Sequence, residues 1–65
     1  MVGLKENTKK MDLIEVYEAH KATYENWKEG DIAEYWFEEE GILCIEYESG
    51  NWWHYKYTNE GLQWW

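Results

Sequence analysis

The chain contains no proline and no arginine, and its only cysteine is Cys44. A single cysteine allows no intrachain disulfide, so nothing covalent compensates for the small core of a 65-residue chain. At that size only roughly 60% of the surface exposed by the unfolded form is buried. An unpaired thiol points to a reducing setting, and a cytoplasmic location is the expectation. Apolar runs long enough to span a bilayer are missing, and MVGLKENTKK holds no apolar stretch of signal-peptide length, so no membrane association is expected. There is no Gly-rich phosphate loop and no Ser-His-Asp set; neither enzyme activity nor a cofactor is expected. Positive charge is also scarce. Six lysines face fourteen acids for a net charge of −8, and thirteen of those acids fall in residues 11–65. Such a surface repels phosphate backbones and attracts basic ones. Direct nucleic-acid binding is therefore not expected, and a basic protein partner is.

Aromatic residues are plentiful: six Trp, six Tyr and one Phe. Each ring buries a large area at little cost in side-chain entropy, which offsets the size of the chain. The polar, unpatterned residues 1–10 read as a flexible tail, and residues 11–65 as one domain. Within it, Asp12 can cap a helix, Glu15 stands three residues on as in a capping box, and Met11 and Val16 fit a hydrophobic staple. Leu13, Val16, Tyr17, His20, Tyr24 and Trp27 recur at helical spacing, and Gly30 can close the C-terminus, so the spacing predicts a helix over about 13–29. From Ile32 the period becomes two. Gly41, Gly50 and Gly61 end three turn candidates between strands at about 32–38, 42–47, 52–57 and 62–65. The expected class is α+β, one N-terminal helix packed on a four-stranded antiparallel meander.

Three-residue loops at 39–41 and 48–50 pair Phe37 with Leu43 and Tyr47 with Asn51, and this register sorts the side chains into two faces. Ala33, Tyr35, Phe37, Leu43, Ile45, Tyr47, Trp53, Tyr55 and Tyr57, joined by Leu62 and Trp64 if the last loop has four residues, form the face the helix should cover. Ile32, Glu34, Trp36, Ile42, Cys44, Glu46, Trp52, His54, Lys56, Gln63 and Trp65 form the other. One helix covers one side of a sheet, so Trp36, Trp52 and Trp65, with Glu34, Glu46 and His54, should make an exposed patch for a partner or a second copy of the chain. Cys44 and His54 come opposite each other there. Two ligands fall short of a zinc site, His20 faces the other way, and only Glu46 stands near enough to orient His54 in a Cys-His nucleophile, so no metal or catalytic residue is expected. His20 reads as a core histidine hydrogen-bonded to the sheet.

The acids suggest a second surface. Glu15, Glu18, Glu25 and Glu29 on the outer helix face would span about 21 Å at 1.5 Å per residue, with Glu38, Glu39 and Glu40 in a nearby turn. Such a ridge can imitate nucleic-acid phosphates before a basic groove. In acidity, brevity and Trp-rich strands, as in EEEGILCIEYESGNWWHYKY, the chain resembles small phage and mobile-element proteins, among which nucleic-acid-mimic inhibitors (anti-CRISPR and anti-restriction proteins) are a class. The resemblance is compositional, rests on no motif, and implies an inhibitor of a nucleic-acid-handling protein. The functional expectation is a non-enzymatic protein-interaction module of that kind. The alternatives are a homodimer of structural or regulatory role, and a carbohydrate binder stacking sugars on the exposed tryptophans.

Overall fold

The structure is a computed structural model that describes residues 11–39 and 41–65. The expected tail over residues 1–10, and Glu40, lie outside the described residues. Helix α1 (Leu13–Lys21) precedes strands β1 (Ile32–Glu39), β2 (Ile42–Tyr47), β3 (Trp52–Thr58) and β4 (Gly61–Trp64). The strands form one antiparallel sheet in the order β1-β2-β3-β4, the expected α+β meander. No helix among the described residues is long and apolar enough to cross a membrane.

Asp12 caps α1 by accepting the Glu15 N–H at 3.0 Å. The Glu15 carboxylate turns away from the cap and accepts the Tyr57 hydroxyl at 3.3 Å. The helix stops eight residues before the expected end. Ala22 N–H still reaches the Glu18 carbonyl at 2.9 Å, but the Thr23 hydroxyl donates to the His20 carbonyl at 2.7 Å and claims it for a turn. A β-branched residue with a competing hydroxyl is a poor continuation of a helix. Packing supplies the stronger reason. A straight helix would carry Trp27 about 10 Å along the axis from His20. By folding back, residues 22–31 set the Trp27 ring 5.0 Å from His20 and 5.2 Å from Tyr47, with the indole N–H donating to the Gly30 carbonyl at 2.7 Å. The stripe residues Tyr24 and Trp27 thus meet the core from a loop.

This loop is tied to the β2–β3 turn. Glu48 N–H donates to the Asp31 carbonyl and Ser49 N–H to the Glu29 carbonyl, both at 3.0 Å. The Glu29 carboxylate accepts the Ser49 hydroxyl and the Asn51 amide, bonds that pull its pKa down. Gly30 sits at φ +84°, where a Cβ would come within 2.7 Å of the Glu48 carboxylate and 3.0 Å of its Cβ. Gly30→Ala should therefore cost about 1–2 kcal/mol in urea denaturation, from the left-handed backbone alone. An unchanged midpoint would show that the loop relaxes freely. Gly41, Gly50 and Gly61, at the three hairpins, also have positive φ, as their turn positions imply.

The core comprises Val16, Tyr17, Leu43, Ile45, Tyr47 and Tyr55, with Met11, Leu13, Trp27, Ile32, Trp53, Tyr57, Leu62 and Trp64 packed around it. Buried His20 lies at its centre, its Nδ1 2.7 Å from the Tyr55 hydroxyl, which is 2.7 Å from that of Tyr47. The sheet hydrogen bond expected of His20 is thus present. Ala33, Tyr35 and Phe37 depart from expectation. They belong by alternation to the core face yet are exposed, Tyr35 at 53% and Phe37 at 56%. A nine-residue helix is only about 13 Å long. It packs toward β3 and β4, with Tyr57 held by Glu15 and Trp64 4.6 Å from His20, and leaves edge strand β1 uncovered.

Candidate functional site

The sheet face opposite the helix is organised by β2, which carries Cys44 and Glu46 toward it. Pairing puts Trp36 opposite Cys44 on one side and His54 opposite it on the other. Trp65, just beyond β4, extends the row by exchanging two backbone hydrogen bonds with His54, at 3.0 and 3.1 Å. Its ring stacks on the imidazole at 4.9 Å and 2°. The next row holds Glu34, Glu46 and Trp52.

Strands β1 and β3 are separated by two strand spacings, about 9.6 Å, yet the Trp36 and Trp52 rings approach to 5.4 Å. The two indoles therefore lean toward each other over β2. Trp52 in turn lies 5.0 Å from His54, so an aromatic chain Trp36–Trp52–His54–Trp65 runs across the face. Cys44 has no exposed surface beneath it. Outward exposure concentrates at Trp52 (46%) and Trp65 (55%).

Two irregularities in β1 decide which side chains join this face. Ile32 pairs with Tyr47 but Glu34 with Glu46, so an extra residue, Ala33, bulges between them. Ile32, expected on this face, consequently packs against the core. The second bulge, between Phe37 and Glu39, makes Glu38 the extra residue. β1 continues through Glu39, one residue past the expected strand end, so Glu38 and Glu39 belong to the strand and not to the following turn. A bulge re-aims a side chain. Glu38 reaches across β2 to place a carboxylate oxygen 3.4 Å from His54 Nε2. The residue beside the imidazole is thus Glu38, where the alternation had suggested Glu46. The bulge left no sign in the sequence that could have indicated this. Glu38, Cys44 and His54 each bring a donor atom to within 4.8 Å of the others, one ligand more than the pairing of Cys44 with His54 implied.

Nucleophilic chemistry at Cys44 is opposed by its surroundings. Burial pushes the thiol pKa up, and the charge and hydrogen bond of Glu38 raise it further, so the thiolate is disfavoured.

Glu34 and Glu46 form the most unusual feature. They are directly opposed across β1 and β2, an arrangement in which like charges destabilise a sheet. Among the described residues no cation pairs with either of them. Lys56 stands two rows away, opposite Gln63.

The acidic ridge expected on the helix does not form. Glu15 and Glu18 are helical, but Glu25 and Glu29 lie beyond the end of α1 at Lys21. Glu29 is committed to Ser49 and Asn51, and Glu15 contacts Tyr57. Glu39 is exposed opposite Ile42, and Glu40 falls outside the described residues. No protein-family model, curated protein or solved structure matches the chain.

Proposed function

We propose that the chain is a non-enzymatic protein-interaction module that binds a basic segment of a partner on the helix-free sheet face. The observation that carries this reading is the Glu34–Glu46 couple, without a cation partner among the described residues, beside half-exposed Trp52. A guanidinium or ammonium group stacked on an indole gains cation–π attraction, and it is strengthened where carboxylates accept its N–H groups. The couple costs stability in the free chain and is relieved by such a group.

Charge selects this occupant over a second copy. Two copies joined through this face would set four unpaired carboxylates against one another in chains of net charge −8. Mimicry of a phosphate backbone, the inhibitor reading suggested by composition, loses its main support with the helical ridge.

The test is tryptophan fluorescence titration with an oligo-arginine peptide at low and high salt. Binding should weaken steeply with salt, as screening of exposed charges requires. Glu34→Gln with Glu46→Gln should weaken it about tenfold, the equivalent of one charge-assisted contact of about 1.4 kcal/mol. Neutralising Glu18 and Glu25 should leave it unchanged. Equal losses from the two pairs would reduce the interaction to net charge and overturn the reading. So would a dimer in sedimentation equilibrium that persists in high salt and shields Trp52. Glu34→Gln alone should also raise the stability of the free chain by about 0.2–1 kcal/mol, because the opposed like charges are removed. A loss of stability would show that the couple is not repulsive.

A further inference from the structure

We infer that Glu38, Cys44 and His54 form a binding site for a divalent transition metal of the zinc class, with the fourth position left to water or a partner group. The inference stands apart from the basic-partner reading, because it uses side chains of the central row and needs no Glu34–Glu46 couple.

The donors come from three adjacent strands, one each from β1, β2 and β3, so their placement is set by the sheet and not by a loop. Their chemistry is thiol, imidazole and carboxylate. That is the mixed sulfur, nitrogen and oxygen set that zinc accepts, whereas calcium and magnesium seek shells made of oxygen. The separation also fits. Nitrogen and oxygen ligands about 2.0–2.1 Å from a tetrahedral ion lie about 3.3 Å apart. His54 Nε2 and the Glu38 oxygen are 3.4 Å apart already.

The surroundings of His54 point the same way. Its Nδ1 lies 3.3 Å from the Trp65 backbone carbonyl, and an imidazole N–H donated to a carbonyl is the usual outer support of a metal-bound histidine. With Nδ1 engaged by that carbonyl, Nε2 is the ring atom that faces Glu38 and is placed to bind a metal. The stacked ring of Trp65 holds the imidazole plane in place.

On binding, the Cys44 S–H bond breaks, its proton leaves to solvent and a metal–sulfur bond forms. Buried Cys44 is approached from the side of Glu38 and His54, whose side chains keep 42% and 24% of their surface exposed.

The experiment is titration of the whole chain with Co²⁺ followed by absorption, and with Zn²⁺ by equilibrium dialysis. The expected result is one equivalent bound, a thiolate-to-cobalt charge-transfer band, and release of about one proton from the thiol. Cys44→Ser should abolish that band. Glu38→Gln, an exposed strand-end change that leaves the core intact, should lower zinc affinity at least about tenfold. Two results would overturn the site: no thiolate band at saturating cobalt, or zinc uptake that Glu38→Gln and His54→Gln leave unchanged. Because Glu38→Gln does not depend on how well Cys44→Ser folds, the inference stays open to refutation in either case. Oligo-arginine is absent from both titrations, so failure here leaves the proposed partner untouched, and failure of the partner titration leaves the metal site untouched.

Discussion

Tyr55→Phe should lower the free energy of unfolding by about 2–4 kcal/mol while leaving the ring packing unchanged, because it strips two buried groups of their shared partner. The Tyr55 hydroxyl is the hub between His20 Nδ1 and the Tyr47 hydroxyl. His20 Nε2 is buried and has no hydrogen-bond partner among the described residues. We assign the tautomer with hydrogen on Nε2, since an N–H directed among aromatic rings is better placed there than a bare lone pair. Trp64 and Trp53 lie 4.6 and 4.8 Å from the imidazole. Tyr55 then donates to Nδ1 and accepts from Tyr47. Burial, followed by the effect of Tyr47, pushes the Tyr55 phenol far upward, so it stays a donor throughout the accessible pH range. Without it both imidazole nitrogens are unpartnered. A domain of this length holds only roughly 3–10 kcal/mol, so the variant should approach global instability. Urea denaturation followed by circular dichroism measures the loss. A shift below about 0.5 kcal/mol would show that water replaces the hydroxyl and that the network is not sealed.

Acidification should unfold the chain in a window set by the same histidine. Burial among rings lowers the His20 pKa from 6.5, partly offset by the negative charge of Glu29. The unfolded chain therefore takes up this proton more readily than the folded one, and stability rises with pH wherever that difference holds. The contribution is fully present above the unfolded value of 6.5 and is lost as pH falls from there through the lowered folded value. Glu29, whose pKa is pulled down by Ser49 and Asn51, adds a loss only at lower pH, within the carboxylate range. Urea midpoints between about pH 8 and about pH 5 should fall accordingly. His20→Gln should flatten that slope even while lowering the midpoint throughout. A slope that survives His20→Gln would assign the acid sensitivity to other groups.

The periodicity of two, with glycine at each turn, carried the strand positions, their order and the pairing of Cys44 with both Trp36 and His54. These are local consequences of alternation and turn chemistry, and the chain spells them out residue by residue. The same logic separated Leu43, Ile45, Tyr47 and Tyr55 from the row of Trp36, Cys44, His54 and Trp65, while helical spacing placed His20 in the core. It failed where competing interactions come from distant parts of the chain. Helical spacing continues through Trp27, but the sheet offers those rings a nearer position around His20, and tertiary contact outweighs propensity in a stretch that Thr23 already weakens. The acidic ridge went with that helix end. Edge position, which no residue of β1 announces, left Tyr35 and Phe37 uncovered.

The two bulges of β1 are the clearest case of what the tertiary structure alone decided. A single unpaired residue at Ala33 moves Ile32 into the core, and another at Glu38 brings a carboxylate to His54 above a buried thiol. Neither carries a glycine or a proline to mark it. Composition determined that the chain is acidic, rich in rings and without a disulfide, and alternation determined its topology and its two faces. Alternation already set Glu34 and Glu46 on the face of Trp52; only the folded sheet decided that Glu38 joins Cys44 and His54, because a bulge of one residue re-aims the side chain it carries.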